Sequence, residues 1–208
     1  MLGRALCLAA LLAVGASMSA NAQDRMPPIP PEKLTDAQKK AVEEFRAARN
    51  ANVTGPFVPL LRSPEVMNRA RAMGDYLRFK SVLPPRLSEF AILIAARQWT
   101  QQYEWDAHYR LALEAGLNPQ AAAAVAEGRR PDRMADDEAA IYDLCIELHR
   151  EHAVSDRTYQ RAVAAFGEQG VIDAVGIQGY YSLLAMVMNT ARTPLPAGRT
   201  PALKPISR

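Results

Sequence analysis

Glu89-Phe-Ala-Ile-Leu-Ile-Ala-Ala-Arg-Gln-Trp-Thr-Gln-Gln-Tyr-Glu-Trp-Asp-Ala-His108, running on through Tyr109-Arg-Leu-Ala-Leu-Glu-Ala-Gly116, decides how this chain folds. Its first half is so densely apolar that a helix there needs neighbours on most sides. Leu87, Ala91, Ile94 and Ala95 are expected to be buried, and Phe90 and Leu93 widen the stripe. A short polar break at Thr100–Gln102 separates this helix from a second, which Gly116 ends as a left-handed residue. On the second helix Glu104 and His108 stand one above the other, the spacing at which a carboxylate orients and charges an imidazole. The same spacing also describes an ordinary exposed pair contributing roughly 0.2–0.5 kcal/mol.

Outward from this centre the helical pattern continues both ways. Thr35-Asp-Ala-Gln38 has the form of a capping box, and Ala41, Val42, Phe45 and Ala48 follow as an amphipathic stripe. Asn50 to Ser63 reads as a loop, because Gly55-Pro56-Phe57-Val58-Pro59 opposes regular structure, yet Phe57, Leu60 and Leu61 require it to lie on the core. Ser63-Pro64-Glu65 supplies a cap, a first-turn proline and an acid for a helix to about Lys80, with Val66, Ala70, Met73 and Leu77 inward. Pro84-Pro85 ends one element and opens the central helix. Asn118-Pro119 starts a short helix through Glu127, and Asp136 to about Glu151 forms a longer one with Ala140, Leu144, Ile146 and Leu148 in its packing. Ser155 to Gly167 is a further helix. The last, from about Gln169 to Asn189, carries Val171, Ile172, Val175, Tyr180, Leu183, Leu184 and Val187. No stretch keeps strand alternation with turn signals and no internal repeat is found, so the fold class is all-α, one helical domain over residues 35–193.

The ends read differently. Residues 1–22 combine Arg4, an apolar run and the small-x-small sequence Ala20-Asn-Ala22, the pattern of a cleaved secretory leader, which predicts a periplasmic or secreted protein. Prolines 27, 28, 30 and 31 make residues 23–34 an extended lead-in, and residues 194–208 read as a tail. No later segment is a continuous apolar run of membrane-spanning length, so no membrane association is expected after cleavage. The formal charge is +3, or +2 without Arg4, and basic and acidic residues are interspersed; nothing in that distribution resembles a nucleic-acid binder. Cys7 leaves with the leader. Cys145 alone cannot form an intramolecular disulfide, and its helical apolar neighbours predict a buried structural thiol.

Phosphate-cradling glycine loops, nucleophile elbows and His-Glu-x-x-His zinc motifs are absent from the sequence. His149 and His152 have no obvious third ligand and suit a helix end better than a metal, so no metal site is expected. Leu87-Ser-Glu-Phe-Ala-Ile-Leu-Ile-Ala-Ala-Arg97 followed by Tyr103-Glu-Trp-Asp-Ala-His-Tyr-Arg-Leu-Ala-Leu-Glu-Ala-Gly-Leu117 closely resembles the carboxymuconolactone decarboxylase family, which also contains alkyl hydroperoxidase D. The Gly55 to Glu65 loop and the region from Tyr142 through Phe166-Gly167 to Tyr180-Tyr181 are similar to the same family.

The resemblance implies an alkyl hydroperoxidase D-like helical bundle that forms homo-oligomers, with its active site among the central helices. In the peroxidase branch a glutamate, a Cys-x-x-Cys pair and a histidine do the work. Glu89 and His108 match the glutamate and the histidine, whereas the two cysteine positions fall on Gln101 and Glu104. That departure removes the thiol nucleophile and its resolving partner. The cysteine-free decarboxylase branch suggests instead that His108 is a proton donor whose protonation Glu104 or Glu89 sets. On the same resemblance Arg97 holds a substrate carboxylate, Tyr109 and Trp105 offer apolar walls, although their spacing equally suits core packing, the expected role of Trp105, and Gln101 lies in the substrate-binding set. The expected function is a cofactor-independent decarboxylase or isomerase acting on a small lactone-like or oxidised organic acid. The alternatives are a binding or assembly protein on the same fold and, less favoured, a peroxidase using Cys145 alone.

Overall fold

Pro85 at its first turn opens α4 (Pro85–Gln98), and between Leu87 and Arg97 every residue except Glu89 is buried. The helix is surrounded by the rest of the chain in a computed structural model that describes residues 23–205. Around it stand α1 (Asp36–Arg49), α2 (Phe57–Leu60), α3 (Pro64–Phe79), α5 (Gln102–Glu114), α6 (Pro119–Ala126), α7 (Asp136–Arg150) and α8 (Asp156–Ala191). Among the described residues there is no strand. α4 packs on α5, α6, α7 and α8, while α1, α2 and α3 form a flank that closes on α8. The expected secretory leader and residues 206–208 lie outside the described residues.

Local chemistry explains most of the boundaries. Thr35 accepts from the Gln38 amide and Gln38 reaches back to the Thr35 amide, a closed capping box of the kind that contributes about 1 kcal/mol. α5 ends at Gly116, where φ is 95° and the Leu117 and Gly116 amides return to the carbonyls of Ala112 and Leu113. Asn118 caps α6 through the Gln120 amide.

Several sequence-based expectations are corrected. The Gly55–Ser63 segment contains the short helix α2 although it holds two prolines, because Pro56 is N-terminal to it and Pro59 lies within its first turn, where no intrahelical donor is lost. Ser63 makes no side-chain cap. The inward face of α3 is Met67, Ala70, Gly74 and Leu77, one position round from the expected stripe, so Val66 and Met73 are each 45% exposed. Ile172 and Val175 of α8 are also exposed. The expected division of the last segment into two helices near Gly167 is present, since α8 leaves the helical region there at φ 68° and ψ 171°. α8 is long and apolar enough to cross a membrane by composition, but more than half of its apolar window is buried against the core. The extended lead-in includes a 3-10 turn at Pro31–Lys33.

The tail is not loose. The Gln102 side chain accepts from the amides of Ala202 and Leu203 and donates to the Leu203 carbonyl, Leu203 is buried, and Arg199 pairs with Asp106 at 2.8 Å. Residues 199–204 therefore form a strap fastened to α5. Its single anchoring leucine gives no periodicity, which is why the sequence pattern does not reveal it.

α3 meets α8 at a glycine. A Cβ on Gly74 would sit 2.2 Å from Oη of the buried Tyr180. Gly74→Ala is therefore expected to destabilise the fold by about 1–3 kcal/mol, more than offsetting the roughly 1 kcal/mol that alanine adds to a helix. Thermal unfolding checks this; an unchanged or higher midpoint would show that Tyr180 can move aside.

Candidate active site

The reversal between α4 and α5 sets the site. Thr100 takes a left-handed conformation at φ 48°, and the amides of Gln101 and Thr100 close onto the carbonyls of Ala96 and Arg97, a pattern more often built on glycine. Gln101 then starts α5, its Oε1 accepting from the Tyr103 and Glu104 amides while Nε2 donates to Asn189. This short antiparallel hairpin brings Glu89 of α4 against His108 of α5, with Glu89 Oε2 2.7 Å from His108 Nδ1. A carboxylate accepting there fixes the ring proton on Nδ1 and leaves Nε2 as the second working nitrogen. Nε2 has no hydrogen-bond partner among the described residues and is not sealed from open space.

Beside His108 opens a cavity of about 720 Å³. Its walls are aromatic: Phe57 from α2, Tyr103 from α5, and Tyr180 and Tyr181 from α8. The Tyr181 ring meets His108 edge-on at 5.0 Å between centroids, and burial holds the Tyr181 hydroxyl well above the usual phenol range, so it stays neutral. Gly55, at φ 56°, lets the loop before α2 lie against Tyr103; a Cβ there would come within 2.8 Å of the ring. Arg49, Arg78 and Lys80 supply positive charge. Arg49 stacks over Phe57 at 4.7 Å and pairs with Asp75 at 2.8 Å, but Asp75 is shared with Arg71, and the Arg49 Nη2 is buried without a partner. Arg78 has no ion-pair partner among the described residues.

Glu104 is corrected. It does not pair with His108: both of its carboxyl oxygens are buried without a hydrogen-bond partner, and burial pushes its pKa well above the usual carboxylate range. Four-residue spacing put the two side chains on one face, but Glu89 across the hairpin takes the imidazole. Arg97 is separated from His108 altogether. It lines a second cavity and donates to the Lys204 carbonyl at 2.7 Å. Tyr109 stacks on Trp105 at 6.0 Å on the side of α5 covered by the strap, and Gln101 spends its amide group capping α5. Of the six expected site residues, the structure brings together Glu89 and His108 at the aromatic cavity. The sequence reading missed Tyr181, Arg49 and Arg78. Their signals were the successive tyrosines on one helix and arginines in the last turns of α1 and α3.

Cys145 is fully buried, and burial pushes its thiol far up, so it offers no thiolate. His149 Nε2 meets Gln178 Oε1 at 2.8 Å while Gln178 Nε2 donates to the Ala91 carbonyl, a link between α7, α8 and α4. Burial lowers the His149 pKa, which keeps that link neutral.

The profile of the Carboxymuconolactone decarboxylase family matches residues 64–142, the stretch from the start of α3 into α7 that carries Glu89 and His108. Over that stretch, somewhat over a third of the chain, the sequence is similar to the carboxymuconolactone decarboxylase family. No protein of curated function matches it. Among solved structures it is similar to an uncharacterised peroxidase-related protein with an alkylhydroperoxidase AhpD core from Ralstonia eutropha JMP134, at 18% identity and a TM-score of 0.66 over 83% of this chain and 92% of that one. It is also similar to the debrominase Bmp8 in complex with 2,3,4-tribromopyrrole, at 11% identity and a TM-score of 0.64 over 85% and 94% of the two chains. A protein of unknown function from Agrobacterium tumefaciens aligns at 16% identity and a TM-score of 0.54 over 66% and 95%. At these identities the likeness is one of fold. Arg49, Gly55 and Tyr181 complete the cavity from outside the matched segment.

Proposed function

We propose that this protein belongs to the carboxymuconolactone decarboxylase family and is a cofactor-independent acid–base enzyme, a decarboxylase or isomerase, acting on a small lactone-like or oxidised organic acid in the His108 cavity. The observation that carries the reading is the Glu89–His108 hydrogen bond at the edge of an aromatic cavity with uncompensated arginine charge. Loss of carbon dioxide from an unsaturated acid leaves the electron pair of the broken carbon–carbon bond delocalised over the conjugated system. That carbanion is then protonated at carbon, and His108 Nε2 is placed to deliver the proton while Glu89 balances the imidazolium. An isomerisation replaces the loss of carbon dioxide with transfer of a proton from carbon to His108 Nε2, and returns a proton at another carbon of the conjugated system. Arg49 and Arg78 take the carboxylate-holding part first given to Arg97, and the aromatic walls lower the local dielectric around the developing charge. Export behind a leader ending at Ala22 and assembly into a homo-oligomer are proposed with it, from the sequence.

The test is a thermal-shift panel of small unsaturated, aromatic and lactone acids beside their methyl esters, on wild type, His108→Gln and Arg78→Ala. A ligand of the native state raises the melting temperature by mass action. The expected result is that one class of acids stabilises wild type, that its esters do not, that Arg78→Ala weakens the effect, and that the same acids are turned over by wild type and not by His108→Gln. Binding without turnover would instead support a binding protein on this fold. If no acid binds, or if His108→Gln turns acids over as wild type does, the enzyme reading fails.

A further inference from the structure

Where the C-terminal strap crosses the ends of α4 and α6 there is a second cavity, of about 770 Å³, remote in its lining from His108. We propose that it is an oxyanion-binding site for a small molecule carrying a carboxylate or phosphate group, built on Arg97 with Arg150 and Lys204.

Arg97 is the core of the case. Its side chain is only 4% exposed, and among the described residues it has no acidic partner. One nitrogen, Nη1, donates to the Lys204 carbonyl at 2.7 Å; Nε is buried and donates to nothing. A guanidinium stays charged at any physiological pH and a buried charge without a partner is costly; Nη2, which has no hydrogen-bond partner among the described residues and is not sealed off, is the donor that an acceptor in the cavity can reach. Gly128, at φ 75°, leaves that space open: a Cβ there would lie 3.6 Å from Nη2 and 3.7 Å from Nε. Arg150 and Lys204 line the same cavity, both exposed and both without an ion-pair partner among the described residues. The acid in the lining, Glu127, is taken by Arg129 at 2.6 Å.

The ends of α4, α6 and α7 also point here, and helix C-termini attract cations. Three such ends sum to about −1.5 charges against three full positive charges, so a positive excess remains. The α6 end is moreover closed by its own chain, since the Gly128 and Arg129 amides bond the carbonyls of Val125 and Ala124. Helix ends account for an exposed arginine such as Arg150. They do not supply a hydrogen-bond acceptor for the unpartnered Nη2. A forked oxyanion does, because its oxygens match the spacing of guanidinium N–H groups.

Binding there would also tie down the strap, whose Lys204 contributes both a backbone carbonyl and a side chain to the cavity. The experiment is titration calorimetry of the full chain with inorganic phosphate and then malonate at constant ionic strength in chloride, followed by hydrogen exchange at the Leu203 amide. The variants are Arg150→Ala/Lys204→Ala, both exposed and dispensable for folding, and His108→Asn. The expected result is saturable binding of at least one anion, weakened tenfold or more by the double substitution and unchanged by His108→Asn, with slower exchange at Leu203 when the anion is bound. Absence of saturable heat with either anion, or equal affinity in the double variant, overturns the proposal. So does loss of binding in His108→Asn, which would place the anion in the first cavity.

Discussion

His108→Asn is expected to lower turnover of the accepted acid by about 10²- to 10⁴-fold, the usual contribution of a positioned acid or base, with a smaller effect on binding. The imidazole is the one ring whose Nδ1 is engaged by a carboxylate at 2.7 Å while its other nitrogen remains open to the aromatic cavity. Asparagine keeps a polar side chain in the space but cannot transfer a proton near neutrality. Glu89→Gln removes the charge that balances the imidazolium and turns a charge-assisted hydrogen bond into a neutral one. A loss of about 1.5–3 kcal/mol corresponds to roughly 10- to 100-fold in rate. Because the two residues act as a unit, the double variant is expected to be no slower than His108→Asn alone. Steady-state kinetics of the three variants decide this. Full activity in His108→Asn, or additive losses in the double variant, would break the pair as a catalytic unit.

Glu104→Met is expected to stabilise the protein at alkaline pH, and the sign follows from the direction of the carboxyl's shift. Burial raises the folded-state pKa of Glu104, so the folded state holds a proton that the unfolded state releases. The protein is therefore most favoured, as far as this group is concerned, below the unfolded carboxyl value of about 4.3. It loses about 1.4 kcal/mol for each pH unit from there up to the folded value. Methionine has a similar volume and nothing to ionise, and it removes two oxygens that are buried without partners. The variant should melt several degrees above wild type at pH 8 and show a smaller gain at pH 4, where only the removal of the unpartnered oxygens counts, since about 1 kcal/mol moves the midpoint of a domain this size by roughly 2–4 °C. Melting curves across that range provide the check. A gain of equal size at both pH values would mean that packing rather than ionisation is responsible, and a loss at pH 8 would mean that Glu104 is charged and useful.

Much of the fold was legible because α4 is written in residues that leave little choice. A helix that buries Leu87 through Ala96 on nearly all sides must be central, and the prolines and glycines at its borders punctuate the chain where the elements end. The errors occur where one residue of rotation decides exposure. On α3 the expected stripe began at Val66, but Gly74 must face Tyr180 because only a hydrogen atom fits there, and that turns Met67 inward and Met73 out. The strap was illegible because its anchors are hydrogen bonds that the Ala202 and Leu203 amides donate to the Gln102 side chain, which leave no compositional trace.

The site was half legible for a similar reason. Glu89 and His108 were found from the resemblance, but periodicity along one helix favoured Glu104 as the partner and could not weigh a contact made across the hairpin. Arg97, close in sequence to both, diverges because it sits in the last turn of α4, just before the reversal at Thr100 and about two turns beyond Glu89. Arg49 and Tyr181 are separated in sequence by most of the domain and meet only in the folded cavity.

The most direct test needs no substrate turnover: long-range proton–nitrogen spectra of the ¹⁵N-histidine-labelled protein, in which only His108, His149 and His152 contribute. The account predicts that the proton shared with Glu89 resides on His108 Nδ1, that Glu89→Gln alters this signature, and that an acid entering the cavity moves the His108 Nε2 resonance while His149 and His152 stay fixed. A proton confined to Nε2, with Nδ1 bare and no response to any acid in the panel, would contradict it.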